Sequence, residues 1–321
     1  MIFLKLLSRL PLRVLYALTD IVYVIIYHIW RFRRTLSLTN VRNSFPDKPA
    51  PDIEAIAAQS YRNACNLIAE VLKGATIDAA ELRRRVEIKN LALLEPWIKA
   101  EQPVVLLASH HCNWEWLLLT SCIELGISVD AVYKPLRVGA VDRFMLAARS
   151  RFGGNPIPVK NFLMEVMKRR KGARIIALVA DQTPLAGEEK HWTRFLSQDT
   201  AFFVGADKIA RMLRAPVFFV GMHRLERGHY EAHLQQLSAP PQRAQVAVDA
   251  DNNAPAIDDL ALNAVLVEAQ QRTFANEQEA LSEIEAAIKR IHDGEMGELV
   301  GGQCYWNGNG IWFREKNDPK T

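Results

Sequence analysis

Cysteine is scarce in this sequence. There are four, Cys65, Cys112, Cys122 and Cys304, and none stands in a C-x-x-C pair. That argues against a disulfide framework and fits a reduced, cytosolic setting. A strong charge of one sign is also lacking. The net charge of +4 is mild. With neither zinc-finger spacing nor an aromatic platform for single strands, it speaks against a nucleic-acid partner. Internal repeats are absent. No small-x-small site follows the N-terminal apolar run, so a cleaved signal peptide is disfavoured. What is present suffices for a packed core. Hydrophobic residues make up 49% and charged residues 24% of 321, enough for one large domain or two modest ones.

The first informative stretch is Val14 to Trp30, interrupted only by Thr19, Asp20 and His28. As a helix it reaches about 25 Å, slightly short of a hydrocarbon core of about 30 Å. Lys5, Arg9 and Arg13 precede it, and Arg31, Arg33 and Arg34 follow. A membrane anchor, spanning or lying in the interface, competes here with a buried core helix. The arginines next to the main body would place that body in the cytoplasm.

Beyond a linker or elbow at 40–51, helical periodicity runs from Asp52 to Lys73 and stops at Gly74. A short charged helix follows at Glu81 to Arg85. From about residue 100 apolar runs alternate with helical segments. The strand signals are 103–108, 128–133, 156–159, 174–180, 216–221 and 230–234. The helical ones are 114–125, 141–152, 162–171 and 200–213. This rhythm predicts an α/β fold: a mostly parallel central sheet with helices on both faces, preceded by the N-terminal hydrophobic helix. Ligands of such sheets sit beyond the carboxyl ends of the strands. Three polar clusters fall there: Ser109 to Glu115, Tyr133-Lys134, and Asp181-Gln182. The expected organisation is an anchor at 1–34, a helical lead-in at 35–100, an α/β core at 101–238 and C-terminal helices with a Trp- and Gly-rich tail at 239–321.

The densest cluster is S-H-H-C-N-W-E-W, residues 109–116. Adjacent His110, His111 and Cys112 point in different directions from a strand end, which disfavours a shared metal ion. Cys112 as a nucleophile would need a base and an oxyanion site. A third reading makes His110 a general base, with Glu115 folded back onto the imidazole to fix its tautomer. His111 and Glu115, four residues apart, are the rival pair. Two ordinary surface histidines remain the bland alternative.

The wider string is more specific. ASHHCNWEW is followed by VYKPLR (132–137), ARSRFGG (148–154), ADQTP (180–184), WTRFL (192–196) and TAFFVGADKIARMLRAPV (200–217). Together with NVRNSFPD (40–47), this series resembles the bacterial lipid A secondary acyltransferases, over roughly residues 5–235. The resemblance implies an acyltransferase of the bacterial inner membrane, with its catalytic body facing the cytoplasm. It would move a fatty acyl group from acyl carrier protein, or coenzyme A, to a hydroxyl of an acylated glucosamine lipid. It implies no further cofactor and no metal. His110 would be the base and Glu115 its partner. Arg149 or Arg151 would serve an acceptor phosphate or the developing oxyanion. Asn113, Tyr133, Lys134, Asp181 and Gln182 would bind substrate. The tail departs from the family pattern: Tyr305 to Lys316 keeps aromatic and basic residues but lacks a histidine. Other readings are transfer to a lysophospholipid or aminolipid, a membrane-tethered lipid-binding protein without turnover, and a thiol hydrolase using Cys112.

Overall fold

The computed structural model describes residues 2–169, 172–182, 184 and 190–238. The expected helices at 258–292 and the tail at 301–314 lie outside the described residues. In chain order the helices are α1 (Ile2–Ser8), α2 (Leu12–Tyr23), α3 (Arg34–Ser44), α4 (Ala50–Gly74), α5 (Ala79–Arg85), α6 (Glu95–Lys99), α7 (Trp114–Leu125), α8 (Gly139–Arg149), α9 (Phe162–Lys168) and α10 (Gly205–Leu213). A π-helical turn, Val24–Ile29, continues α2. The strands are β1 (Val86–Lys89), β2 (Pro103–Ala108), β3 (Ser128–Tyr133), β4 (Gly154–Pro158), β5 (Arg174–Val179), β6 (Lys190–Phe195), β7 (Gln198–Phe203), β8 (Val217–Glu226) and β9 (His229–Ser238). Seven of them form one sheet in the order β1-β9-β8-β2-β5-β3-β4. All its pairings are parallel except the hairpin of β8 and β9.

The continuous apolar run of β2 has a plain physical meaning. All six residues are buried, because helices cover both faces. Val104, Leu106 and Ala108 join the cluster that contains Trp116 and Leu119 of α7. Val105 and Leu107 join the cluster of Phe162 and Val166 of α9 and Ala206 and Ala210 of α10. The period of two sorts side chains between faces, as pleating requires. Burial of this kind contributes about 25 cal/mol per Å² of apolar surface.

The structure sharpens or revises three expectations. Of the two readings of 40–51 the structure shows the elbow: α3 runs to Ser44, α4 begins at Ala50, and Val41 packs with Ile53, Ile56 and Ala57 across the bend. The segment 35–100 is more than a helical lead-in. Its strand β1 pairs in parallel with β9, so the sheet begins before residue 101. Residues 200–203 do not begin a helix. They form β7, paired antiparallel with β6, which the strand signals had missed. Leu196 and Ser197 turn the hairpin with φ of 48° and 62°. The right-handed twist of a hairpin favours such a turn, and the signal was hidden because neither residue is Gly or Asn.

The N-terminal helix is neither buried nor free. Its polar interruptions face the body: Asp20 pairs with Arg227 in the β8–β9 turn at 2.7 Å, and the Tyr16 hydroxyl reaches Glu70 of α4. Tyr23 and Tyr27 stack on each other and pack with Tyr61. Val14, Leu18, Ile21, Val22, Ile25 and Ile29 lie exposed. One continuous helical path, Leu12–Ile29, is long and apolar enough to cross a membrane, and 33% of it is buried. An exposed aliphatic stripe of this size points to contact with lipid.

Candidate active site

β2 and β5 are neighbours, with Ala108 opposite Val179. Both chains leave the sheet at this carboxyl end, and the Ala180 amide donates to the Ala108 carbonyl. The turn after β2 therefore meets the residues after β5. The His110 amide donates to Asp181 Oδ2 at 2.8 Å, and His110 Nδ1 lies 2.6 Å from Asp181 Oδ1. Asp181 thus grips both the backbone and the ring. A carboxylate at Nδ1 holds the proton there and leaves the Nε2 lone pair as the basic position. Gln182 stands 3.2 Å from that Nε2 and can donate to it. Trp114 meets the ring edge-on with centroids 4.9 Å apart. The imidazole is fixed on three sides while its side chain stays 27% exposed, enough for a substrate to reach it.

Glu115 has a different partner from the one its spacing suggested. Arg149 Nε donates to Glu115 Oε2 at 2.8 Å, and Arg149 Nη2 donates to Oε1. The expected Glu115–imidazole contact is replaced by this fork-shaped pair, and Asp181 holds the imidazole. The reason is geometric. Residue 115 lies in the first turn of α7, which faces the end of α8, whereas the ring is drawn toward β5. Burial disfavours the Arg149 cation, but Glu115 outweighs it and holds the guanidinium above its ordinary pKa. Arg149 Nη1 has no hydrogen-bond partner among the described residues. Tyr133 lies beside the guanidinium, 5.7 Å from ring centre to Cζ. Burial, then Asp142, raises the Tyr133 pKa, so the phenol stays protonated. Lys134 is exposed just beyond β3.

Two expected substrate contacts are drawn inward instead. Asn113 is fully buried. Its Oδ1 caps α7 by accepting from the Trp116 amide at 2.9 Å, and its Nδ2 donates to Glu70 at 2.8 Å. Arg151 donates to the Gly74 and Ile77 carbonyls, both at 2.6 Å, closing the end of α4. Both are occupied in holding helix ends, so neither presents its polar head to a ligand.

Cys112 adopts a left-handed φ of 54° and donates its thiol to the Met222 carbonyl in the core. Burial pushes the Cys65 thiol up to about 11 and the Cys122 thiol up to about 12. Neither is a thiolate near neutral pH.

Glu70 is the residue that sequence reasoning missed. It carries a fully buried carboxylate that accepts from Tyr16, Asn113 and Tyr230. A signal existed: Asn63, Asn66 and Glu70 recur at helical spacing and form a buried polar stripe along α4.

Among curated proteins no relative matches this chain. The family described as bacterial lipid A biosynthesis acyltransferase matches it over residues 1–261. That span holds the apolar helix, the whole sheet and the His110–Asp181 and Glu115–Arg149 pairs, and the chain belongs to the bacterial lipid A biosynthesis acyltransferase family.

Proposed function

We propose that the protein transfers a fatty acyl chain from an acyl thioester to a hydroxyl of a lipid A precursor or a similar glycolipid, with His110 as general base. Acyl carrier protein is the expected donor, with coenzyme A as the other thioester that fits. The reaction needs a base at the acceptor hydroxyl and positive charge where the thioester oxygen becomes anionic. The observation that carries the reading is the grip of Asp181 on His110 Nδ1, which reserves Nε2 for the acceptor.

The acceptor hydroxyl takes the place of the Gln182 amide at Nε2. Its oxygen bonds to the thioester carbon as its proton passes to Nε2. Asp181 stabilises the imidazolium that forms. The oxyanion of the tetrahedral intermediate is met by the Arg149 Nη1 edge, which Glu115 leaves unused. Collapse re-forms the carbonyl and breaks the C–S bond, and the imidazolium returns its proton to the departing sulfur. The product is an ester and a free thiol. Every proton is accounted for, and no covalent enzyme intermediate is required.

The apolar stripe of α2 and its π-helical extension would lie in the inner membrane surface with the catalytic body on the cytoplasmic side. Tyr133, Lys134 and Gln182, at the same end of the sheet as His110, would orient the acceptor.

The test is transfer from an acyl-carrier-protein or coenzyme A thioester to an acylated glucosamine disaccharide lipid, followed by mass spectrometry. The wild type should add one acyl mass. His110→Ala should lose at least about 100-fold in turnover. Undiminished transfer by His110→Ala would end the proposal.

A further inference from the structure

We propose that Glu70 is a positioning residue for the reaction: its buried carboxylate ties Asn113, at the head of the catalytic turn, to Tyr16 on the apolar N-terminal helix. The setting of His110 then depends on how that helix is seated. This rests on the reading of His110 as the base.

Glu70 is fully buried, and no lysine or arginine lies within ion-pair distance of its carboxylate among the described residues. Taking a carboxylate out of water is unfavourable unless donors replace the water. Here three neutral donors do so: the Tyr16 hydroxyl at 2.7 Å on Oε1, and Asn113 Nδ2 at 2.8 Å and the Tyr230 hydroxyl at 2.6 Å on Oε2. An apolar side chain would fill the same space more cheaply. What the carboxylate adds is a directional link between separate segments.

The carboxylate links three separate segments. Tyr16 belongs to α2, whose other face exposes Val14, Leu18 and Ile21. Tyr230 is the second residue of β9, beside the Arg227 turn that holds Asp20. Asn113 closes the turn that carries His110. Its amide is used at both ends, with Oδ1 capping the Trp116 amide and Nδ2 on Glu70, so its side chain has one fixed rotamer. The Trp116 indole donates to the Glu70 carbonyl at 2.9 Å, locking α4 to α7 a second time. Between Asn113 and His110 lies Cys112 in its left-handed conformation, an unfavourable state that persists only where its surroundings hold it. Fixing Asn113 on one side and Asp181 on the other sets both ends of the turn. Misplacing a reacting group by about 1 Å can cost about 100-fold in rate.

The test uses the full-length chain in phospholipid vesicles with the thioester donor. Asn113→Ser keeps a good helix cap but is too short to reach Glu70. It should lower kcat about 10-fold while the donor KM stays within about 2-fold. Glu70→Ala should do the same, and the double variant should lose no more than either single, since both cut one link. Glu70→Gln still offers an acceptor to Asn113 and should return to within about 3-fold of wild type. Tyr16→Phe removes the helix contact alone and should cost about 3-fold in kcat.

Should Glu70→Ala fail to fold, the comparison of Asn113→Ser with Glu70→Gln decides the matter. Wild-type kcat in Asn113→Ser, a change confined to KM, or losses that multiply in the double variant would overturn the proposal. Wild-type kcat in Tyr16→Phe would overturn the link to the helix. His110→Ala is run beside them. If it is inactive while the Asn113 and Glu70 variants are normal, only the positioning role fails. If it is fully active, the base assignment fails first.

Discussion

Two charged pairs stand within a few residues of each other and are built in opposite ways. His110 and Asp181 sit at the open end of the sheet, with the imidazole side chain 27% exposed. Glu115 and Arg149 sit between α7 and α8, at 9% and 18% exposure. The open pair joins an ionisable ring to a carboxylate, so that one nitrogen is held and the other is left for chemistry. The closed pair joins a permanent cation to a carboxylate in a two-pronged contact, which favours geometry over proton exchange. The difference separates two tasks that the sequence places side by side. One pair suits moving a proton, and the other suits holding a charge in place.

Four variants test this contrast. The largest effect is expected from Asp181→Asn. The amide cannot fix the Nδ1 proton as the carboxylate does, so turnover should fall about 100-fold in the transfer assay. The melting temperature should change little, because an asparagine oxygen can still accept from the His110 amide. A large loss of stability with normal turnover would reverse the roles assigned to the two pairs. Next comes Glu115→Gln, which strands a buried guanidinium. Breaking such a pair from one side costs about 3 kcal/mol or more, read as a lower denaturant midpoint. Glu115→Leu combined with Arg149→Met should recover most of that stability, because no charge is then left unpaired. If Glu115→Gln instead keeps full stability, the pair does not hold a buried charge in place and the contrast fails. The smallest effect on stability is expected from Arg149→Lys, while turnover should also fall because the Nη1 edge offered to the oxyanion is lost. The substitution keeps the charge but loses the fork, so stability should fall by about 1 kcal/mol.

Much of this was legible in the chain. The runs 103–108, 128–133 and 174–179 became strands at or near their expected bounds, and α7 occupies the interval its periodicity and Gly126 marked. His110, Asp181 and Gln182 were singled out as strand-end residues, and the sheet brings them within hydrogen-bond reach of each other. The pairing was not legible. Asp181 is 71 residues from His110, and only the adjacency of β2 and β5 unites them. Glu115 was the natural local candidate because five residues within one turn look close. The direction of the first turn of α7 sends its carboxylate to Arg149 instead.

The N-terminal helix shows the same division. Its composition marked Val14 to Trp30 as apolar and left anchor and core helix in competition. Hydropathy sums over the circumference and cannot say which face is covered. The tertiary structure resolves this through Tyr16, Asp20, Tyr23 and Tyr27, which turn toward α4 and the β8–β9 turn and leave the aliphatic face outward. By itself the sequence determined where elements form and which residue types gather at the strand ends, because periodicity and turn chemistry act between near neighbours. Only the tertiary structure decided who pairs with whom, what Glu70 holds, and which side of the first long helix packs against the protein. Those outcomes follow from the order of strands and the packing of α4, and no local spacing encodes them.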